Sequence, residues 1–226
     1  MKVSVLLAVY NGEKYMEKAI ESVLSQTHTD LELLIGLNGC SDSSSEICKK
    51  YSDPRVRAFE YTESGKARTL NKILKESGGE FLALQDHDDI WLPKKIEEQI
   101  AYTTDFDVIG TGIIYIDEND IPFGGPNLRP SHDEIVSLSL AGNNQVANTA
   151  AIFRKSLAID VGGWDESLDG VEDYDFWLKM MSKGARFINL KKQYVLHRVH
   201  KSSNFNTKKY DIEGLLKKHS KHADKI

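Results

Sequence analysis

Phe81-Leu82-Ala83-Leu84-Gln85-Asp86-His87-Asp88-Asp89-Ile90-Trp91-Leu92-Pro93 decides how the rest of the chain is read. The apolar run Phe81 to Leu84 reads as a buried strand, and three carboxylates follow it within four positions. Like charges packed this closely are unfavourable unless a cation or hydrogen-bond donors neutralise them. Ligands of α/β folds sit beyond the C-terminal ends of strands. Asp86 and Asp88 are therefore read as oxygen ligands for a divalent ion, Mn2+ or Mg2+. The plain alternative is an acidic cap on the helix that opens at Pro93. It accounts for Asp89 but not for the other two.

Working outward, strands alternate with helices. Val3 to Val9 is a nearly continuous apolar strand, as expected when helices cover both faces. Glu13 to Gln26 carries a helical apolar stripe at Tyr15, Met16, Ala19, Ile20, Val23 and Leu24. Leu31 to Leu37 is a second strand, Ser41-Asp42 caps a helix to Tyr51, and Arg55 to Tyr61 is a short edge strand. Lys66 to Glu76 is helical, and Gly78-Gly79 stops it before the fourth strand. This order predicts an α/β fold with a mostly parallel central sheet and helices on both faces. The second half is less regular: helix Pro93 to Ala101, strand Val108 to Ile116, a polar stretch Asp117 to Asn148 with a helix near Asp133 to Leu140, and a short strand Thr149 to Phe153. Helix Glu172 to Lys183 and strand Gln193 to His200 follow. The expected units are residues 1–204, divided into a binding half 1–110 and an acceptor half 111–204, and a basic helical tail 205–226.

The bulk numbers bound the function. With 226 residues and 40% hydrophobic content the chain can build one large domain. A net charge of −5 argues against broad nucleic-acid binding, which needs a basic face. Cys40 and Cys48 form neither a metal-type pair nor a disulfide framework, and read as reduced cytosolic thiols. No apolar run approaches the ~20 residues of a membrane span, so the chain is expected in the cytoplasm. Its lysine-rich tail reads as a solvated helix face, with weak attachment to anionic lipid as the alternative.

Further candidates lie at element ends. Tyr10 closes the first strand and can stack on a base, or be a core tyrosine. No G-x-G-x-x-G follows, which argues against a Rossmann dinucleotide site. Asn38 offers both donor and acceptor to a base edge, or simply makes a turn with Gly39. Glu172 and Asp173 open a helix just after Trp164, a pairing that fits sugar binding and base catalysis as well as dipole compensation. His197 and His200 are read as sharing one face of a regular strand, where a neutral imidazole can complete a metal site or simply be structural.

Taken in order, these blocks resemble the family 2 glycosyltransferases with the GT-A fold, over roughly residues 2 to 200. The carrying motifs are Ser4 to Gly12, Ser22-Val23-Leu24-Ser25-Gln26-Thr27, Leu70-Asn71, Gly79-Glu80-Phe81, Asp86 to Pro93, Gly162-Gly163-Trp164-Asp165-Glu166, Glu172-Asp173 and Arg198-Val199-His200. The resemblance implies a metal-dependent, inverting, non-processive transferase that uses a nucleotide-sugar donor, UDP-linked by preference. Its acceptor would be a carbohydrate, a lipid-linked sugar or a protein, in polysaccharide or glycoconjugate synthesis. It places Ala8 and Tyr10 beside the nucleobase, Asn38 on uracil, and Lys66 and Arg68 on the donor. Asp86 and Asp88 match the D-x-D element, with Asp88 the direct metal ligand and His200 joining it. Asp173 matches the catalytic base, with Trp164 and Glu172 toward the acceptor. Leu37-Asn38-Gly39-Cys40 departs from the family's acidic pair, and Q-x-x-R-W of polymerising members is missing. The rivals are a nucleotide-sugar-binding protein without catalysis and a nucleotidyltransferase on a related scaffold.

Overall fold

Apolar runs that are buried on both faces make the centre of the sheet. Every residue of β1 (Val3–Val9) and β2 (Leu31–Asn38) is buried, whereas β3 (Val56–Tyr61) is half exposed, as suits an edge. The computed structural model describes residues 1–168, 170–201 and 211–220. The remaining strands are β4 (Phe81–Asp86), β5 (Ile90–Trp91), β6 (Val108–Ile116), β7 (Pro122–Gly124), β8 (Ile152–Arg154) and β9 (Phe187–Arg198). The helices are α1 (Met16–Leu24), α2 (Ser44–Lys49), α3 (Lys66–Glu76), α4 (Lys95–Ile100), α5 (His132–Leu140), α6 (Lys155–Asp160), α7 (Glu172–Ser182) and α8 (Ile212–Ser220).

Among the described residues all strands join one sheet, ordered β3-β2-β1-β4-β8-β6-β9-β5, with β7 paired to β6. The first four are parallel: β1 pairs with β2 from Val3↔Leu31 to Val9↔Leu37 and with β4 from Val3↔Phe81 to Ala8↔Asp86. The second half is mixed. The short β8 runs antiparallel to both β4 and β6, β9 runs parallel to β6, and β5 turns back antiparallel on β9. The chain leaves β1 toward β2 and β3, then returns to place β4 on the other side of β1. That reversal opens a crevice at the carboxyl ends of β1 and β4, where this class of sheet binds ligands.

Two apolar layers flank the sheet. One packs α1 and α2 under β1 and β2. The other gathers α3, α5 and α7 around Phe153, Trp164, Phe176 and Trp177. Trp164 stacks on Phe176 at 4.4 Å, and Phe153 meets Phe176 and Trp177 edge-on. Below β5, Lys95 is fully buried over the Trp91 ring, and desolvation holds its ammonium well below the usual lysine range. Asn189, also buried, donates to the carbonyls of Arg129 and Gln145 and so moors the polar stretch to β9. Gly110 makes room for it, since a Cβ there would lie 2.0 Å from Asn189 Oδ1.

Several expectations are refined. The last strand starts at Phe187 and ends at Arg198, so His200 lies beyond it. His197 and His200 are three apart, a spacing that puts strand residues on opposite faces. They reach one cluster only because the chain leaves the strand between them. The solvated tail is refined for α8: Leu215 and His219 are buried, and Lys218, though half exposed, lays its ammonium on Asp175. Its outer face, with Lys217 and Glu213, is exposed. Lys208, Lys209, Lys221 and Lys225 lie outside the described residues. No described helix is long and apolar enough to cross a membrane.

Phe153 joins β8 to the aromatic cluster with no exposed surface. Phe153→Ala should therefore cost about 3–5 kcal/mol in urea unfolding. A loss below about 1 kcal/mol would contradict this packing.

Candidate active site

The crevice is built from strand ends. Ala8 and Asp86 are register partners at the ends of β1 and β4, and Tyr10 projects just beyond β1 with 55% of its surface exposed. Asn38 ends β2 and is buried; its Oδ1 accepts from the Gly65 N–H at 3.4 Å. Gly65, at φ +135°, turns the chain into α3, whose first residue, Lys66, donates to Asp86 Oδ1 at 2.7 Å. Burial opposes the charge on Lys66, but Asp86, Glu172 and Asp173 together raise its pKa.

The three aspartates after β4 have three different fates. Asp86 faces Lys66. Asp88 Oδ2 lies 3.0 Å from His200 Nε2; against the penalty of burial, this bond and the nearby His87 and His197 hold Asp88 down at about 2. Asp89 is fully buried and is used for structure. Its Oδ1 accepts from the Arg198 N–H at 2.8 Å, and its Oδ2 lies 2.9 Å from His197 Nδ1. Burial disfavours a charged His197, yet Asp89 overrides it and lifts the imidazole to about 9. Asp89 is thus the clasp between the D-x-D turn and β9, not a helix cap.

Arg198 is the residue that sequence reasoning left without a role. It is buried, donates from Nε to the Asp88 carbonyl at 2.9 Å and from Nη1 to the Asp117 carbonyl at 2.8 Å, and pairs with Asp120 at 2.5 Å. Its guanidinium lies 4.4 Å from the centroid of the Tyr15 ring. A long cation in a strand that also buries Val195 is the one signal the sequence offered.

Beside the strand ends, a cavity of about 120 Å³ is lined by Ser64, Lys66, Arg68, Glu166, Leu168 and Glu172. Arg68 bridges Glu63 and Glu166 at its rim, each at 3.1 Å. Glu172 is buried and accepts from the Gly170 N–H at 2.5 Å. Asp173, on the first turn of α7, accepts the Tyr174 N–H at 2.8 Å. Desolvation first, then the Glu172 charge, push Asp173 up to about 6, while Lys66 pulls the other way. Trp164 is corrected: with 2% exposure its ring belongs to the aromatic core and presents no face for an acceptor to stack on. Glu166, two residues on, is what this loop offers the cavity. Asn71 holds the loop by accepting the Trp164 N–H and donating to the Trp164 carbonyl and Glu166. Gly163 permits that grip, since a Cβ there would lie 2.3 Å from Asn71 Oδ1.

The donor set can be tested against a divalent ion. A carboxylate oxygen and an imidazole nitrogen 3.0 Å apart match adjacent ligands of an octahedral ion with bonds of about 2.1 Å. Among the described residues no three His, Cys, Asp or Glu side chains converge on one point, and Asp86 is engaged by Lys66. Asp88 and His200 therefore fit as a two-ligand protein set, of the kind completed by phosphate oxygens and water.

A strand-end crevice at the sheet reversal, with carboxylates, a lysine and a histidine beside it, is the architecture of the GT-A fold. The sequence profile "Glycosyl transferase family 2" matches residues 4–162, and the chain belongs to that family of glycosyltransferases. The O-antigen biosynthesis glycosyltransferase WbnJ of Escherichia coli is 29% identical over 231 residues, 96% of this chain and 89% of that protein. The putative glycosyltransferase EpsE of Bacillus subtilis is 29% identical over 212 residues, 90% and 74% of the two chains. Among solved structures, S. aureus TarS 1-349 in complex with UDP-GlcNAc superposes with a TM-score of 0.83 at 20% identity, over 98% of this chain and 66% of that one. Mannosyltransferase PcManGT from Pyrobaculum calidifontis, in complex with GDP-Man and Mn2+, gives 0.69 at 20% identity, over 89% and 58%. These two likenesses establish the shared fold.

Asp173 yields a signed prediction. Its folded pKa of about 6 lies above the ordinary carboxyl range near ~3.9, so its ionisation opposes folding. The penalty is absent below about pH 4 and complete once pH has risen past 6. Asp173→Asn should raise Tm at pH 8 by a few degrees and leave it unchanged at pH 3.5. A shift of equal size at both pH values would refute the buried charge as its cause.

Proposed function

We propose that the chain is an inverting glycosyltransferase that moves one hexosyl or N-acetylhexosaminyl unit from a nucleotide sugar, UDP-linked by preference, to an acceptor hydroxyl. The observation that carries this reading is the place of Asp173: it follows Glu172, which lines a cavity shared by Lys66, the partner of Asp86 at the end of β4, and burial with the Glu172 charge pushes its carboxyl up to about 6. A carboxylate with an ordinary pKa is a weak base toward an alcohol at neutral pH. Desolvation makes Asp173 a stronger one that is still ionised at pH 7. It would accept the acceptor's proton as the hydroxyl oxygen attacks the anomeric carbon and the diphosphate leaves from the opposite face. A single displacement of this kind inverts the anomeric centre.

Tyr10, exposed beyond β1, and Ala8 would pack against the nucleobase, and Asn38 would read its edge with an amide where the family carries a carboxylate. Lys66 would hold donor oxygens beside Asp86, with Arg68 at the outer rim. Glu172 and Glu166 would meet acceptor hydroxyls from the cavity wall. Mn2+ or Mg2+ would be held by Asp88 and His200, with Asp86 nearby, and would supply positive charge against the leaving diphosphate. TarS and PcManGT, with their sugar nucleotides, support the donor class, and WbnJ, an O-antigen biosynthesis enzyme, supports a surface-glycan acceptor. A lipid-linked acceptor would bring the lysine-rich tail to an anionic membrane surface.

The test is a panel of UDP-, GDP- and CDP-sugars with Mn2+ or Mg2+, read by thermal shift and by release of nucleoside diphosphate. UDP-sugars should give the largest shift, and the shift should shrink in EDTA or in Asp88→Ala. Asp173→Asn should lose at least about 100-fold in kcat while donor Kd stays within about twofold. The acid limb of the parent's kcat profile should have its midpoint near pH 6, activity rising with pH. Unchanged turnover in Asp173→Asn rejects the base assignment. Donor binding without transfer to any acceptor favours the non-catalytic reading, and pyrophosphate release from a nucleoside triphosphate favours the nucleotidyltransferase.

A further inference from the structure

We propose that α8 is part of the transferase apparatus, with Lys218 a positioning residue that staples the loop before α7 to the first turn of α7 and so fixes Asp173. The proposal rests on Asp173 being the base. Asp175, two residues after it, is fully buried. Its Oδ1 accepts from Lys218 Nζ at 2.8 Å and from His219 Nε2 at 2.9 Å, and its Oδ2 pairs with Lys179 at 3.2 Å. A carboxylate without solvent must be neutralised. Two of these three partners come from α8, 43 and 44 residues further along the chain.

The same Lys218 ammonium also reaches Asp165 Oδ2 at 2.7 Å. Asp165 in turn accepts from the hydroxyl and the N–H of Ser167, which fixes the turn that presents Glu166 to the cavity. Lys179 closes the circuit by donating to the Gly163 carbonyl at 2.7 Å. One cation thus touches both segments behind the cavity. Helix α8 is seated independently of these charges, by Leu215 in the core and by Ile212 and Leu216 against it. Exposed ion pairs contribute little, but removing the partner of a buried carboxylate leaves an uncompensated charge. Without Lys218, Asp165 would lose its cation and face Asp175, so loop and first turn would stay joined only through Lys179 and the Trp164–Phe176 stack and would loosen against each other.

The experiment uses the full chain with Lys218→Met, Lys218→Arg and the milder Asp165→Asn, which cuts only the loop side. Hydrogen exchange of amides 164–176 needs no substrate. It should rise about tenfold in Lys218→Met and Asp165→Asn, with β1 and β4 unchanged. Hydrolysis and transfer with UDP-GlcNAc and GDP-Man in Mn2+ should show kcat down about tenfold, donor KM within about twofold, and recovery in Lys218→Arg. Exchange and kcat both at parental values overturn the proposal. So does a uniform rise in exchange across the sheet, or no recovery in Lys218→Arg, since either marks a purely structural contact. A parent chain that releases no nucleoside diphosphate from either donor fails the transferase reading instead, and exchange still decides the staple.

Discussion

Three aspartates at the end of one strand must each find a counter-charge, and the way they do so organises the molecule. Two like charges 4 Å apart repel by about 4 kcal/mol at an effective dielectric near 20, a large share of a domain's net stability. The fold meets this by bringing a different partner to each: Lys66 from α3 to Asp86, His200 from beyond β9 to Asp88, and His197 with the Arg198 backbone to Asp89. The last two partners arrive from more than 100 residues away, so β9 must close on β5 for the site to exist. Arg198 then extends the clasp to Asp117 and Asp120, and Lys18 reaches Asp120 from α1. The carboxylate turn is held rigidly because it is over-determined from several sides.

The parallel half of this fold was legible because its strands are buried on both faces and read as unbroken apolar runs. The stop at Gly78-Gly79 and the helical stripe of α3 were equally plain, and β6 falls at Val108–Ile116 as its pattern indicates. The mixed half was harder for a physical reason. The elements β5 and β7 have two or three residues each, too few for any period to show, and the strand expected at Thr149 to Phe153 is a single helical turn at Asn148–Ala150 followed by the three-residue β8. These short strands exist because neighbouring strands present unpaired backbone groups, which is tertiary information. Strand β9 was seen only from Gln193 because Lys191 and Lys192 interrupt its apolar pattern on the exposed side.

The candidate site divides in the same manner. Asp86, Asp88 and Asp173 announce themselves by crowding and by position at element ends. The resemblance separated Asp88 from Asp89, but the structural task of Asp89 was not legible: it was read as a helix cap, and only the arrival of His197 and the Arg198 backbone makes it a clasp. Trp164 misled for a related reason: an indole beside carboxylates suits both a sugar platform and a core, and only packing against Phe176 decides. The basic tail likewise looked solvated, because nothing local shows that Asp175 on α7 needs Lys218 and His219.

The two candidate carboxylates, Asp88 and Asp173, are pushed in opposite directions, and this separation is what their surroundings accomplish. Asp88 sits among His200, His87 and His197, which hold it near 2 and leave it a permanent anion. Asp173 sits in a desolvated pocket beside Glu172 and rises to about 6, where it can exchange a proton at physiological pH. Groups driven apart in this way mark distinct chemical roles. The first suits electrostatic binding and the second proton transfer. Lys66 links the two environments: it pairs with Asp86 at the strand end, and its charge opposes the rise of Asp173.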